Sequence, residues 1–223
     1  MTNAATLFML AYKLAPLLLR KGQQQQDPSQ VVITEKDIAL LELKRKLGAV
    51  IVILGTRGTG KTELAYRLAE FLEKPTYAVS PEQKPHLAFI ERINFGEIDE
   101  RVMPGSTVIF DDLPAYASNR DYNESLVREL ERIIPMVRHE RKLHLIFNSQ
   151  SAAQADKYIL DCDMAFLKPL GLLFEDLERP AIKKLYKEYV MPEFDGKQDS
   201  WIVRHAYMYS RIFKGVIEIK KVS

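Results

Sequence analysis

Cysteine occurs once in the 223 residues, at position 162, so no intrachain disulfide framework is available and the chain suits a reducing compartment. Cys162 stands just before the apolar run 164–167 and reads as a small core residue. Net charge is nearly absent as well. Lys plus Arg is 32 against 30 Asp plus Glu, which leaves +2 and gives no bulk attraction for a polyanion. Any nucleic-acid surface must then be a local patch. Long hydrophobic runs are missing too. The most apolar stretch, residues 7–19, is broken by Lys13 and Pro16 and falls short of the roughly 20 residues a membrane span needs. Its charges, Arg20 and Lys21, follow the apolar run, whereas a secretory signal carries them ahead of it. The expectation is a chain without signal peptide or transmembrane helix, cytoplasmic in location. Apolar content is not lacking: 47% hydrophobic residues exclude wholesale disorder and suffice for one good core.

Leu7, Leu10, Leu14, Leu17 and Leu18 share one helical face, so residues 1–30 read as a hydrophobic arm followed by a polar linker, GQQQQDPSQ at 22–30. Such an arm could pack on its own domain, a neighbouring subunit, a partner or a membrane surface. Residues 31–223 read as one domain. Thr34 and Asp37 ahead of Ile38, Leu40, Leu41 and Leu43 predict a capped helix. AVIVIL at 49–54 is a continuous apolar run, the pattern of a strand buried on both faces of a parallel sheet. A helix follows over 60–73. Further strands are expected at 75–80, 87–93, 107–110, 143–147 and 164–167. A helix kinked at Pro135 is expected over 124–138, and a terminal hairpin over 201–222. Strands alternating with helices predict an α/β fold, with helices flanking a central, mostly parallel sheet.

Residues 55–62, GTRGTGKT, complete the pattern G-x-x-x-x-G-K-[ST] between a predicted buried strand and a predicted helix. Gly55, Gly58 and Gly60 let backbone N–H groups close on phosphate oxygens, and Thr56, Arg57 and Thr59 supply the rest of that cradle. Lys61 would reach the β and γ phosphates, and Thr62 would offer its hydroxyl to Mg²⁺. The fold expected is therefore that of a P-loop NTPase, with ATP and Mg²⁺ as cofactors. A second Mg²⁺-directed group is needed. TVIF at 107–110 runs into Asp111 and Asp112, and paired acids at the end of a buried strand are costly unless they work on a cation or water. Asp111 would hold Mg²⁺ and Asp112 would polarise the attacking water. At 145–151, LIFNSQS is a strand running into polar residues, where Gln150 could sense the γ-phosphate or orient that water.

In this order the motifs resemble the FtsK/HerA superfamily of DNA-translocating P-loop ATPases. The resemblance covers roughly residues 47–167, and VRHERKLHLIFNSQ at 137–150 is its most telling part. It implies a ring, usually a hexamer, with ATP between subunits and an arginine finger supplied by a neighbour. Arg138 and Arg141 both match the region of that finger. Asp112 departs from the Glu that many members carry and is shorter by one methylene. The small size is most similar to genome-packaging ATPases of viruses with double-jelly-roll capsids, including archaeal ones. That would place the chain in host cytoplasm or at a virion vertex, with the arm docking on a capsid, a membrane or a subunit.

Three rivals stand beside this reading: a small-molecule kinase, an ATPase that remodels other proteins, and an interaction protein that holds nucleotide without turnover. No compact arginine-rich lid of the kinase kind is visible. Lys183, Lys184 and Lys187 on a predicted helix, and Lys214, Lys220 and Lys221 around the hairpin, are the candidate contacts for double-stranded DNA or plain solvated residues. Nothing suggests sequence readout, so the contact expected is with the phosphate backbone.

Overall fold

The computed structural model describes residues 34–79, 87–111, 140–150, 161–171 and 179–218, the side chain of Phe95 excepted. The arm and linker, Asp112, the 124–138 helix with Arg138, Lys220 and Lys221 lie outside the described residues.

Helix α1 (Glu35–Arg45) begins as its sequence predicts. The Asp37 N–H donates to Thr34 Oγ1 at 3.3 Å, and the Thr34 N–H donates to Asp37 Oδ2 at 3.0 Å, which closes a capping box. Then come β1 (Ala49–Leu54), α2 (Lys61–Leu72), β2 (Thr76–Val79) and β3 (Ile90–Ile93). The short helix α3 (Ile98–Arg101) leads to β4 (Thr107–Phe110), β5 (His144–Ser149) and β6 (Met164–Leu167). Helix α4 (Pro180–Leu185) continues through a π-helical turn (Tyr186–Val190) into α5 (Met191–Phe194). Helix α6 (Asp199–Arg204) and the hairpin β7 (His205–Tyr209) and β8 (Lys214–Glu218) complete the described order.

The eight strands form one sheet in the order β3-β2-β4-β5-β1-β6-β7-β8. Pairing is parallel from β3 through β6 and antiparallel for β7 and β8. All six residues of β1 are buried, because the strand is sandwiched between β5 and β6 and covered on both faces. Val50, Val52 and Leu54 face a core shared with Phe110, Phe147, Tyr186 and Phe194. Ala49, Ile51 and Ile53 face Leu43, Leu64, Leu68 and Leu72 of α1 and α2. Fully burying side chains of this kind contributes about 1.5–3 kcal/mol each. Cys162 packs beside the first of these cores, and burial pushes its thiol up to about 11, as suits a core residue.

Strand β3 begins at Ile90 and not at 87, and two further boundaries that differ from the sequence expectation bear on the site. The hairpin starts at His205, not at 201, because Trp201 belongs to α6. Trp201 instead stacks on His205 with ring centroids 3.8 Å apart, and His205 Nδ1 donates to the Trp201 carbonyl at 2.8 Å. Strand β5 runs on to Ser149, so Asn148 and Ser149 are buried ladder residues where the sequence reads as loop.

His144 starts β5 fully buried. Its Nε2 donates to the Leu43 carbonyl at 3.0 Å, tying the end of α1 to the sheet, while Nδ1 is buried with no partner among the described residues. Burial holds its pKa down to about 4, against the Leu43 carbonyl, which favours protonation; Lys74 and Lys46 lower it further and Asp163 raises it. The folded value lies below the ordinary 6.5, so the stability from a neutral His144 is fully present above pH 6.5 and is lost as pH falls towards 4. The loss amounts to about 3 kcal/mol over that window. Urea unfolding at pH 7, 5.5 and 4.5 measures it, and His144→Leu is expected to flatten the acid slope. Equal slopes for the two proteins would show that His144 does not carry the acid lability.

Candidate active site

The loop between β1 and α2 lies at the carboxyl end of the sheet's central strand, where parallel strands leave room for a ligand. Gly58 and Gly60 have φ of 81° and 83°, in the left-handed region that glycine enters without strain. At Gly60 space is short as well: a Cβ would sit 2.7 Å from the Val203 carbonyl oxygen of α6. A Cβ on Gly55 would sit 2.7 Å from the Lys168 Cβ. The loop is pinned from within by Thr59 Oγ1 and Lys61 Nζ, which donate to the Thr56 carbonyl at 2.8 and 3.0 Å. From outside, the Gly55 N–H donates to the Ser149 carbonyl at 3.2 Å and the Thr56 N–H to that of Pro169 at 2.9 Å. The amino end of the twelve-residue α2 opens onto this loop, and its partial positive charge suits phosphate.

Strand order brings the acid to the loop. Strand β5 lies between β1 and β4, pairing Leu54 with Ser149 and Phe110 with Phe147. Asp111, 2% exposed, therefore sits beside the strand end that carries Asn148 and close to the start of α2. The Thr62 hydroxyl donates to Asp111 Oδ1 at 2.8 Å across 49 residues of sequence. Asn148 Nδ2 donates to the same oxygen at 2.8 Å. Asn148 Oδ1 is buried and unpartnered among the described residues. Phe110 and Phe147, which precede Asp111 and Asn148 in their strands, stack with centroids 4.7 Å apart in the core on the other face of the sheet.

A hydroxyl and a carboxylate are hard oxygen donors of the kind Mg²⁺ takes, and the unsatisfied Asn148 oxygen suits a water of a hydrated ion. Thr62 and Asp111 would hold the metal, with Asn148 orienting the carboxylate. Asn148 escapes sequence reasoning, since a polar residue after an apolar run reads as loop. The signal available is the continuation of β5 in step with β1.

The remaining expected residues are placed as follows. Gln150 follows β5 directly, at the end of the strand next to β1, and is half-buried. Arg57 is exposed on the loop. Arg141 is engaged within its own chain, where Nη1 and Nη2 donate to the carbonyls of Ile98 and Asp99 at 3.2 and 2.9 Å and Nη2 lies 3.2 Å from the Asp99 carboxylate. The structure thus brings together residues 55–62, Asp111 and the Gln150 strand end, and sets Arg141 against α3.

Lys168 is also missed by sequence reasoning. It is fully buried one residue past β6, and its Nζ donates to the carbonyls of Ile202, Val203 and His205 at 2.8, 3.0 and 2.8 Å. Burial lowers its pKa to about 7, with Lys61 and then Arg67 acting in the same direction, while the three carbonyls favour the charged form.

No family model matches the sequence, and no curated protein does. Among solved structures, the chain is similar to the cytoplasmic domain of EssC at 15% identity and a TM-score of 0.44, covering 78% of this chain and 38% of that one. It is similar to a Thermotoga maritima RuvB variant at 16% identity and a TM-score of 0.41, covering 75% and 52%. A structure described as an ATPase gives 12% identity and a TM-score of 0.48, covering 96% and 93%. The chain thus spans about half or less of the EssC and RuvB structures. The architecture of the described residues is itself that of a P-loop NTPase: a mostly parallel sheet flanked by helices, with a C-terminal antiparallel pair and the phosphate-loop motif between β1 and α2.

The two left-handed glycines separate strain from crowding. Gly58→Ala meets nothing within 4 Å and is expected to cost about 1 kcal/mol for its backbone alone. Gly60→Ala adds the collision with Val203 and is expected to cost roughly 2 kcal/mol or more. Urea unfolding compares them, and equal costs would mean that α6 does not constrain the loop.

Proposed function

We propose that the protein is a Mg²⁺-dependent ATPase that translocates double-stranded DNA, in the manner of viral genome packaging, and that it works as a ring of copies of itself, a hexamer in the favoured form. The observation that carries the ATPase reading is the 2.8 Å hydrogen bond from the Thr62 hydroxyl to the buried Asp111 carboxylate. Two residues that the motif assigns to one metal meet from separate elements. The placement of β5 between β1 and β4 supports it, because the Gln150 strand end then lies beside the phosphate loop. The DNA and packaging parts rest on the resemblance of residues 47–167 to the FtsK/HerA superfamily.

In this reading the backbone of residues 55–60 and the amino end of α2 bind the β phosphate. Lys61 moves from the Thr56 carbonyl to the β/γ oxygens. Mg²⁺, when bound, neutralises charge developing on the phosphates. Asp112 polarises the attacking water, and Gln150 senses the γ-phosphate or orients that water. Arg141 is occupied on α3, which supports Arg138 as the residue offered to a neighbour's γ-phosphate. Lys183 and Lys184 on α4 and Lys187 on the turn after it would hold DNA phosphates, Lys184 being 73% exposed beside Glu188 at 3.8 Å. Lys214 lies 4.4 Å over the Tyr209 ring, which leaves it a weaker candidate.

Lys61→Ala is expected to abolish nucleotide binding. Asp112→Asn should bind ATP normally but lose turnover, because water activation is needed only in the transition state. Wild-type turnover in Asp112→Asn would remove that residue from the chemistry. Duplex DNA should raise the wild-type rate regardless of sequence, an effect that fades with salt. An ATPase indifferent to DNA at low salt would favour the protein-remodelling alternative. Arg138→Ala should lose roughly 10³-fold in rate and regain part of it when mixed with Lys61→Ala, while Arg141→Ala should lower stability. Mixed oligomers that stay inactive would contradict catalysis shared between subunits.

A further inference from the structure

The phosphate loop touches the C-terminal segment at both of its ends. At the start, Gly55 abuts the Lys168 stem and the Thr56 N–H donates to the Pro169 carbonyl. At the finish, Gly60 abuts the Val203 carbonyl oxygen and Cα. Lys168 joins the two contacts. Its backbone N–H extends the β1–β6 ladder by donating to the Leu54 carbonyl at 2.8 Å, and its ammonium gathers the carbonyls of Ile202, Val203 and His205. The last carbonyls of a helix have no partners inside it, and an ammonium has three N–H donors. Here three acceptors meet the three donors of a fully buried lysine. Strand β7 continues from that point, pairing with β6 through Leu167 and Tyr207.

We infer that Lys168 is a positioning residue that links the phosphate loop to α6 and the β7–β8 hairpin, so that nucleotide bound at the loop is transmitted to the C-terminal segment. The inference rests on the nucleotide-binding reading above. The linkage has a definite sign. Lys61 and Arg67 repel the Lys168 ammonium, and a polyphosphate held by the loop offsets that repulsion. Nucleotide therefore strengthens the three bonds to α6, and α6 in turn holds Gly60 in its binding conformation. By reciprocity, loosening the latch weakens nucleotide binding. Simple packing would be served by a methionine of similar length, but Lys168→Met takes the ammonium from three part-buried carbonyls, of which that of Ile202 still accepts from the His205 N–H.

Hydrogen exchange on the full chain, with and without AMP-PNP and Mg²⁺, tests the linkage. In the wild type, nucleotide should slow exchange at residues 55–62 and also at 199–209. In Lys168→Met the first protection should persist and the second disappear, with the AMP-PNP Kd raised about tenfold, within the usual range for coupled sites. Val108→Ala, a core truncation on β4, which β5 and β1 separate from β6, serves as the destabilised control and should keep both protections. Protection at 55–62 with none at 199–209 in the wild type overturns the inference and leaves the nucleotide site standing. This result decides even if Lys168→Met does not fold. Full coupling retained in Lys168→Met also overturns it. Absence of AMP-PNP binding to the wild type removes the nucleotide reading and the linkage with it.

Discussion

A carboxylate that is 2% exposed must be met by donors, and the placement of Asp111 organises everything around the phosphate loop. Its Oδ1 accepts from Thr62 at the first turn of α2 and from Asn148 near the end of β5. Each donor comes from an element the other does not touch in sequence. Both can reach the acid only if β5 lies between the loop strand and the acid's strand, with Phe110 in register with Phe147. A slip of one residue in that pairing would turn Asn148 to the opposite face and leave the acid half-paired. Sheet register and site geometry are thus a single constraint.

Crowding by glycine is the second constraint. Lys168 and Val203 approach the loop so closely that a single extra carbon would collide at Gly55 or Gly60. Only the loop's middle, at Gly58, is open, and the exposed Arg57 stands beside it. The loop is crowded where neighbouring elements press on it and open at Gly58.

Much of this was legible in the residues, and the exceptions have physical causes. Strand β1 announces itself because both faces are covered, which removes any alternation from AVIVIL. The capping pair Thr34 and Asp37 is purely local and therefore readable. Lys61, Thr62 and Asp111 follow from the chemistry of phosphate and metal. Asn148 was hidden because its burial depends on how far β5 extends beside its neighbours. Trp201 was drawn into the hairpin by a run of aromatic and aliphatic residues. The short helix there depends instead on a distant lysine that satisfies its final carbonyls. Arg141 matches the region of an arginine finger in sequence, whereas tertiary contact holds it on α3.

The centrality of β1 has a consequence for how the chain reaches this state. The loop strand precedes both of its partners: Ala49 must wait for His144, and Val50 is clasped by Asp163, 113 residues further on. The link from Leu43 to His144 likewise spans 101 residues. Closing such long intervals precedes the gain from pairing, so the topology is of high contact order and slow to form. During synthesis the most apolar strand has no ladder until β5 emerges, and for that interval AVIVIL is an unpaired edge open to association with other chains.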